Sequence, residues 1–81
     1  MYYIYILQDD NKNLYVGYSS NLRNRLKSHI MGTTVTTAKF INPKLIYYEA
    51  YETEEKARER EKKLKQYGSS YTGLLKRLGL K

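Results

Sequence analysis

The sequence predicts a small α+β domain whose elements run in the order β-β-α-β-α-α. Three observations carry that expectation. Runs rich in tyrosine, isoleucine and valine recur at "YYIYIL", "LYVGY" and "LIYYEAY", and such residues suit a pleated, half-buried surface. Between and after these runs, apolar residues fall at helical spacing. Serine, threonine or asparagine, the residues that cap helix N-termini, stand near the start of each helical stretch. At 81 residues the chain has room for one modest core.

The first run, Tyr2 to Leu7, places Tyr3, Tyr5 and Leu7 on one face and Tyr2, Ile4 and Ile6 on the other. With both faces apolar, it reads as a central strand. Asp9 to Asn13 is turn chemistry, so Leu14 to Tyr18 completes a hairpin. Gly17 interrupts this second strand, which suggests a bulge or a close approach to the backbone. Ser19, Ser20 and Asn21 offer cap oxygens for a helix from Leu22 to about Ile30, with Gly32 as its stop. A threonine-rich connection follows over Met31 to Asn42, with a short helical turn expected at Ala38 to Ile41 before Pro43. Leu45 to Tyr51 forms the third strand. Thr53 caps a helix reaching about Tyr67, with Glu54 and Glu55 favourably placed in its first turn. Gly68, Ser69 and Ser70 separate it from a last helix over Tyr71 to Leu78, ended by Gly79.

Composition narrows the function. Hydrophobic content of 41% and charged content of 28% are those of a globular domain. No stretch is apolar enough to span a membrane, and Met1 leads straight into a strand pattern without a secretory leader, so a cytoplasmic location is expected. The chain has no cysteine, which excludes disulfides and thiolate metal sites. Its net charge is +7, and after Glu61 come six basic residues and no acid. Such a field concentrates polyanions, nucleic acid foremost, although it also serves solubility.

Several polar residues fall on faces that should be covered. On the first helix Leu22, Leu26 and Ile30 define a stripe, and Arg25 and His29 lie on or beside it, so both are expected to face the protein. Arg23 and Lys27 point outward. Arg25 could simply lay its stem over apolar surface, and His29 could be a hydrogen-bonded structural residue. On the second helix Ala57 and Leu64 form a thin stripe, and Glu61 lies within about 40° of Ala57 and 60° of Leu64. An inward carboxylate needs a cation, either a lysine or arginine in an ion pair or a bound divalent metal. Glu54 and Glu59 are four residues before Arg58 and Lys63, the spacing of surface pairs.

There is no glycine-rich phosphate loop, HExxH, GxSxG or zinc cluster. An inward arginine, histidine and glutamate beside sheet tyrosines are instead the parts of a phosphodiesterase. Arginine stabilises phosphoryl charge, a carboxylate holds one metal, and a phenol orients or deprotonates water. With an ordinary pKa of about 10, the phenol would need nearby positive charge to act as a base.

These residues resemble the GIY-YIG endonuclease superfamily, in particular its small single-domain bacterial (UPF0213-like) members, over nearly the whole chain. "YIY" at Tyr3 to Tyr5 corresponds to the first motif and "YVG" at Tyr15 to Gly17 to the second. "SSNLRNRLKSH" places the family's catalytic arginine at Arg25, and "NPKLIYYEAYETEEKAREREKKLK" places its metal-binding glutamate at Glu61. Tyr3 stands where the first motif has glycine. The resemblance implies a single domain over residues 1–81, with a three-stranded antiparallel sheet flanked by helices; the expected lack of an appended DNA-binding domain is a departure from larger members. It implies hydrolysis of DNA, branched or single-stranded, of the kind that repair or recombination uses. One Mg or Mn ion would sit at Glu61, Tyr5 would activate water, Arg25 and Tyr15 would stand at the phosphate, and His29 would support them.

Arg23, Lys27, Lys62 and Lys65 are expected backbone contacts, and a monomer is favoured. Two other readings stay open: a nucleic-acid-binding module of the same fold without catalysis, and a basic adaptor for an acidic protein.

Overall fold

The computed structural model describes residues 1–31 and 39–80. It contains β1 (Tyr2–Gln8), β2 (Leu14–Ser19), α1 (Leu22–Ile30), β3 (Lys44–Tyr51), α2 (Glu54–Lys65) and α3 (Ser69–Arg77). The three strands form one antiparallel sheet in the order β2-β1-β3, so β1 is central, as its two apolar faces require.

Alternation along β1 divides the molecule into two layers. Ile4 and Ile6 join Val16 of β2, Ala57 and Leu64 of α2 and Leu74 of α3 in the core, with Tyr2, Leu14, Tyr18, Tyr47 and Tyr51 packed against it. Tyr3, Tyr5 and Leu7 face the other way, toward α1. The register is pinned at the C-terminal end of β1. Asp9 accepts hydrogen bonds from the backbone N–H groups of Asn11 (3.0 Å), Asn13 (2.8 Å) and Ile41 (3.0 Å), tying the hairpin turn to the segment before β3. Burial acts to raise the Asp9 pKa, but these hydrogen bonds outweigh it and the net shift is downward.

Gly17 lies opposite Tyr5 in an uninterrupted β1–β2 ladder, so there is no bulge in β2. The reason for glycine is close approach: a Cβ there would lie 2.4 Å from both Cζ and the hydroxyl oxygen of Tyr5. The register irregularity falls instead between β1 and β3, where Ile6 pairs with Tyr47 and Leu7 with Leu45, leaving Ile46 over.

Asn21 caps α1, its side chain accepting from the Asn24 N–H at 3.2 Å, while Ser19 Oγ accepts from the Asn21 N–H at 2.9 Å. The inward stripe of α1 is Leu22, Leu26 and His29. Ile30, expected in that stripe, is 68% exposed, and Arg25, expected to face the protein, is exposed. The covered face centres near Leu22, between His29 and Leu26, and both Ile30 and Arg25 lie roughly 70° from that midline at 100° per residue. The stop expected at Gly32 lies outside the described residues, as does Ala38. Lys39 to Ile41 form a turn and bend rather than the expected helical turn.

Thr53 caps α2. That helix ends at Lys65 rather than Tyr67, because Tyr67 adopts a left-handed φ of 55°. α3 starts at Ser69, two residues earlier than expected, and closes with the Leu80 N–H bonding to the Leu75 carbonyl (2.9 Å) and the Gly79 N–H to that of Lys76 (3.1 Å). Gly79, at φ 76°, supplies the left-handed residue this ending needs.

Two alanine substitutions should move stability in opposite directions. Gly17→Ala forces the Tyr5 ring off its seat and is expected to cost about 2 kcal/mol. Gly73→Ala, in α3 with open space around it, is expected to add up to about 1 kcal/mol. Urea unfolding midpoints check both.

Candidate active site

On the α1 side of the sheet, Gly17 lets the Tyr5 ring lie flat across β2, where it meets Tyr15 and His29. Ring centroids are 6.2 Å apart for Tyr5 and Tyr15, 5.6 Å for Tyr5 and His29, and 5.2 Å for Tyr15 and His29. Tyr5 Oη and His29 Nε2 share a hydrogen bond of 2.7 Å, and both residues are buried. α1 therefore docks through an imidazole.

Electrostatics set the protonation of this pair. Burial, then the Tyr15 phenol, push the Tyr5 pKa well above the usual phenol range; Arg25 pulls it down and Glu61 adds to the rise. The positive charge that base catalysis by a phenol calls for is present at Arg25, but burial outweighs it. Burial, then Arg25, hold His29 below the usual imidazole pKa. At neutral pH the pair is a neutral phenol on a neutral imidazole.

Glu61 approaches from the other layer. The stripe of α2, Ala57 and Leu64, has Arg60 on one flank and Glu61 on the other. Glu61 is not in the core: its side chain keeps 17% of its surface exposed and pairs with Lys65, one turn on, at 3.0 Å. The Lys65 ammonium also stands 5.9 Å from the Tyr15 ring centroid, within cation–π range, so this flank reaches the β2 edge beside the tyrosine cluster. Arg58, which pairs with Glu54 at 3.0 Å, lies 4.3 Å over the Tyr18 ring on the same flank. Arg58, Glu61, Lys62 and Lys65 line an open depression there. Arg23 and Lys27 of α1 are exposed, as are Lys62 and Lys65.

Sequence reasoning missed a second carboxylate. Glu49 of β3 takes both prongs of the Arg60 guanidinium, at 3.0 and 3.1 Å, and the hydroxyls of Tyr47 (2.5 Å) and Tyr51. Burial acts to raise its pKa, but Arg60 and the two phenols outweigh it and the net shift is downward; burial and Glu49 push Tyr51 up to about 12. The alternation Tyr47, Glu49, Tyr51 was the available signal, since it puts an acid between two phenols on the core face. This network anchors α2 to β3.

Residues 1–74 match the sequence pattern of the GIY-YIG catalytic domain. The chain belongs to the GIY-YIG family. That family is one of nucleases, which generally use divalent metals. A UPF0213 protein of Clostridium perfringens is 37% identical over 62 residues, covering 75% of this chain and 67% of the relative. One from Streptococcus pyogenes is 36% identical over 56 residues, covering 68% of this chain and 61% of the relative. The solution NMR structure of a UPF0213 protein from Bacillus halodurans superimposes with a TM-score of 0.58 at 25% identity, over 96% of this chain and 85% of that one. The GIY-YIG sheet and its three helices are thus shared with this structure.

Among the described residues no three histidine or acidic side chains cluster as metal ligands. Glu61 fits a single hard cation all the same. It already holds a positive charge at 3.0 Å from a partly exposed lysine, and a hard divalent cation that takes water and phosphate oxygens as its other ligands would need only this one carboxylate. Also among the described residues, no helix of this GIY-YIG domain is long and apolar enough to cross a membrane.

The His29 pKa carries a pH prediction. Because the folded value lies below the unfolded one of about 6.5, the unfolded chain binds more protons below that pH, and stability falls as pH falls. Between pH 7 and 5, wild type should lose stability progressively while His29→Gln stays flatter. Urea unfolding across that range checks this.

Proposed function

We propose that this GIY-YIG domain is a metal-dependent endonuclease hydrolysing DNA phosphodiester bonds, with Tyr5, Tyr15, Arg25, His29 and Glu61 as its active residues and one Mg or Mn ion at Glu61. The observation that supports it best is the buried 2.7 Å hydrogen bond between Tyr5 and His29, with Arg25 close enough to bias both groups. A neutral phenol is a poor base by itself. In the tautomer with its proton on Nδ1, His29 Nε2 accepts from the phenol, so Tyr5 can take a proton from water while passing its own to His29. The water oxygen forms the new P–O bond as the P–O bond to the leaving sugar oxygen breaks; solvent protonates that oxygen, and His29 returns its extra proton through Tyr5 to solvent. This relay needs no standing phenolate.

Arg25, exposed on α1, can reach a phosphate lying over the cluster and stabilise its developing charge. Tyr15 closes the cluster beside Tyr5 and orients the same phosphate. A cation at Glu61 supplies electrophilic stabilisation of the phosphate when bound. Lys65, which now satisfies Glu61, is long and partly exposed, and is free to turn to the DNA backbone together with Arg23, Lys27 and Lys62. Gly17 serves the site by seating Tyr5.

Purified protein incubated with supercoiled, single-stranded and branched DNA in Mg or Mn tests the proposal. Cleavage of at least one substrate is expected, with a loss on the order of 10²–10³-fold for Arg25→Ala and Glu61→Gln in folded protein. Tyr5→Phe and His29→Gln should lose activity similarly. DNA binding without cleavage, equal in wild type and variants, would support the binding-module reading instead.

A further inference from the structure

Tyr48 of β3 is a large side chain left exposed to solvent, at 54%. Its position is not arbitrary. It pairs in register with Tyr5, so the two side chains share the α1 face of the sheet. Tyr3, also on that face, meets Tyr48 edge-on, with ring centroids 6.3 Å apart and planes at 61°. These rings, Ser20 and Asn21 of the turn before α1, and Arg23 of α1 line an open pocket of about 340 Å³. The adjoining hollow, which contains Arg25, shares Ser20 and Asn21 as walls. The Arg25 hollow therefore adjoins an aromatic shelf with a guanidinium at its side.

We propose that the Tyr3–Tyr48 shelf with Arg23 is a stacking subsite for one unpaired DNA base next to the phosphate held at Arg25. Charge complementarity favours a nucleotide here, since Arg23 and Arg25 line the two adjoining hollows and the chain carries +7. An aromatic face binds any base by stacking, but only a base whose own faces are free, and in a duplex neighbouring bases cover them. The subsite thus directs the domain to single-stranded DNA or to the unpaired arm of a branch. The proposal rests on the nuclease reading for the placing of the phosphate, but not for the stacking.

The test separates the two. Fluorescence anisotropy in EDTA, where no metal-dependent cutting occurs, would compare a labelled single-stranded oligonucleotide with its duplex. Wild type, Tyr48→Phe, Tyr48→Ala and Arg25→Ala would be measured, with circular dichroism confirming each fold. Wild type should prefer the single strand, Tyr48→Phe should match it, and Tyr48→Ala should bind the single strand about tenfold more weakly with its duplex affinity unchanged. A 2-aminopurine base in the strand should be quenched by wild type and not by Tyr48→Ala. Arg25→Ala should cut in Mg on the order of 10²–10³-fold more slowly yet keep the Tyr48-dependent preference.

If wild type cuts DNA but Tyr48→Ala binds both forms as wild type does, or weakens both equally, the subsite is wrong and the nuclease stands. If the Tyr48-dependent preference appears without cutting, the subsite stands and the nuclease reading falls. Conversion of a wild-type dimer to a monomer by Tyr48→Ala, with single-strand affinity intact, would make this shelf a self-contact and overturn the proposal.

Discussion

The seat of the Tyr5 ring on the backbone of Gly17 is the constraint from which the rest of the site follows. Tyr5 belongs to the central strand and is buried, yet its hydroxyl must emerge where a helix can reach it. With a side chain at position 17 the ring would stand up from the sheet and displace α1. With glycine it lies down, its oxygen meets His29, and a helix with a narrow apolar face gains a buried polar anchor. A buried donor or acceptor without a partner costs about 1–3 kcal/mol, so each of these two groups holds the other in place. The same contact that fastens α1 also defines the chemistry of the pair.

The two carboxylates partnered through α2 show how environment divides labour between like groups. Glu49 is saturated by a two-pronged guanidinium and two phenols, an arrangement with no room for an incoming ligand. Glu61 is held by one flexible ammonium from its own helix. A pair at that spacing on a helix surface is worth only about 0.2–0.5 kcal/mol, so it is readily exchanged. Saturation makes the first a joint of the structure; weak pairing leaves the second open to a competitor.

Much of this was legible in the chain. Alternation in "YYIYIL" gave the central strand, and Thr53 and Asn21 behaved as the caps their side chains suggest. Gly17 was readable as a bulge or a close approach because glycine within a strand demands some such reason, and the unbroken ladder leaves the close approach. The errors share a cause. A helical wheel yields the separation between residues but not the direction of the partner surface, so the wheel alone turns Ile30 and Arg25 inward, whereas the covered face centres near Leu22, between His29 and Leu26. The Glu49 network escaped because its meaning depends on Arg60, eleven residues away on another element. Single-strand patterns show which residues share a face; they do not show which face meets which.

The Arg60 fork has a mechanical consequence. Ala57 and Leu64 stand seven residues apart on nearly one line of α2, so as buried contacts they form an axle: they hold the helix down but offer little resistance to roll about its length. The paired contacts from Arg60 to Glu49 sit off that line and supply the torque that stops the roll. Glu61, adjacent in sequence and on the opposite side of the axle, rises or falls over the β2 edge with any such rotation. The height of one carboxylate is thereby set by a strut on the far side of the helix.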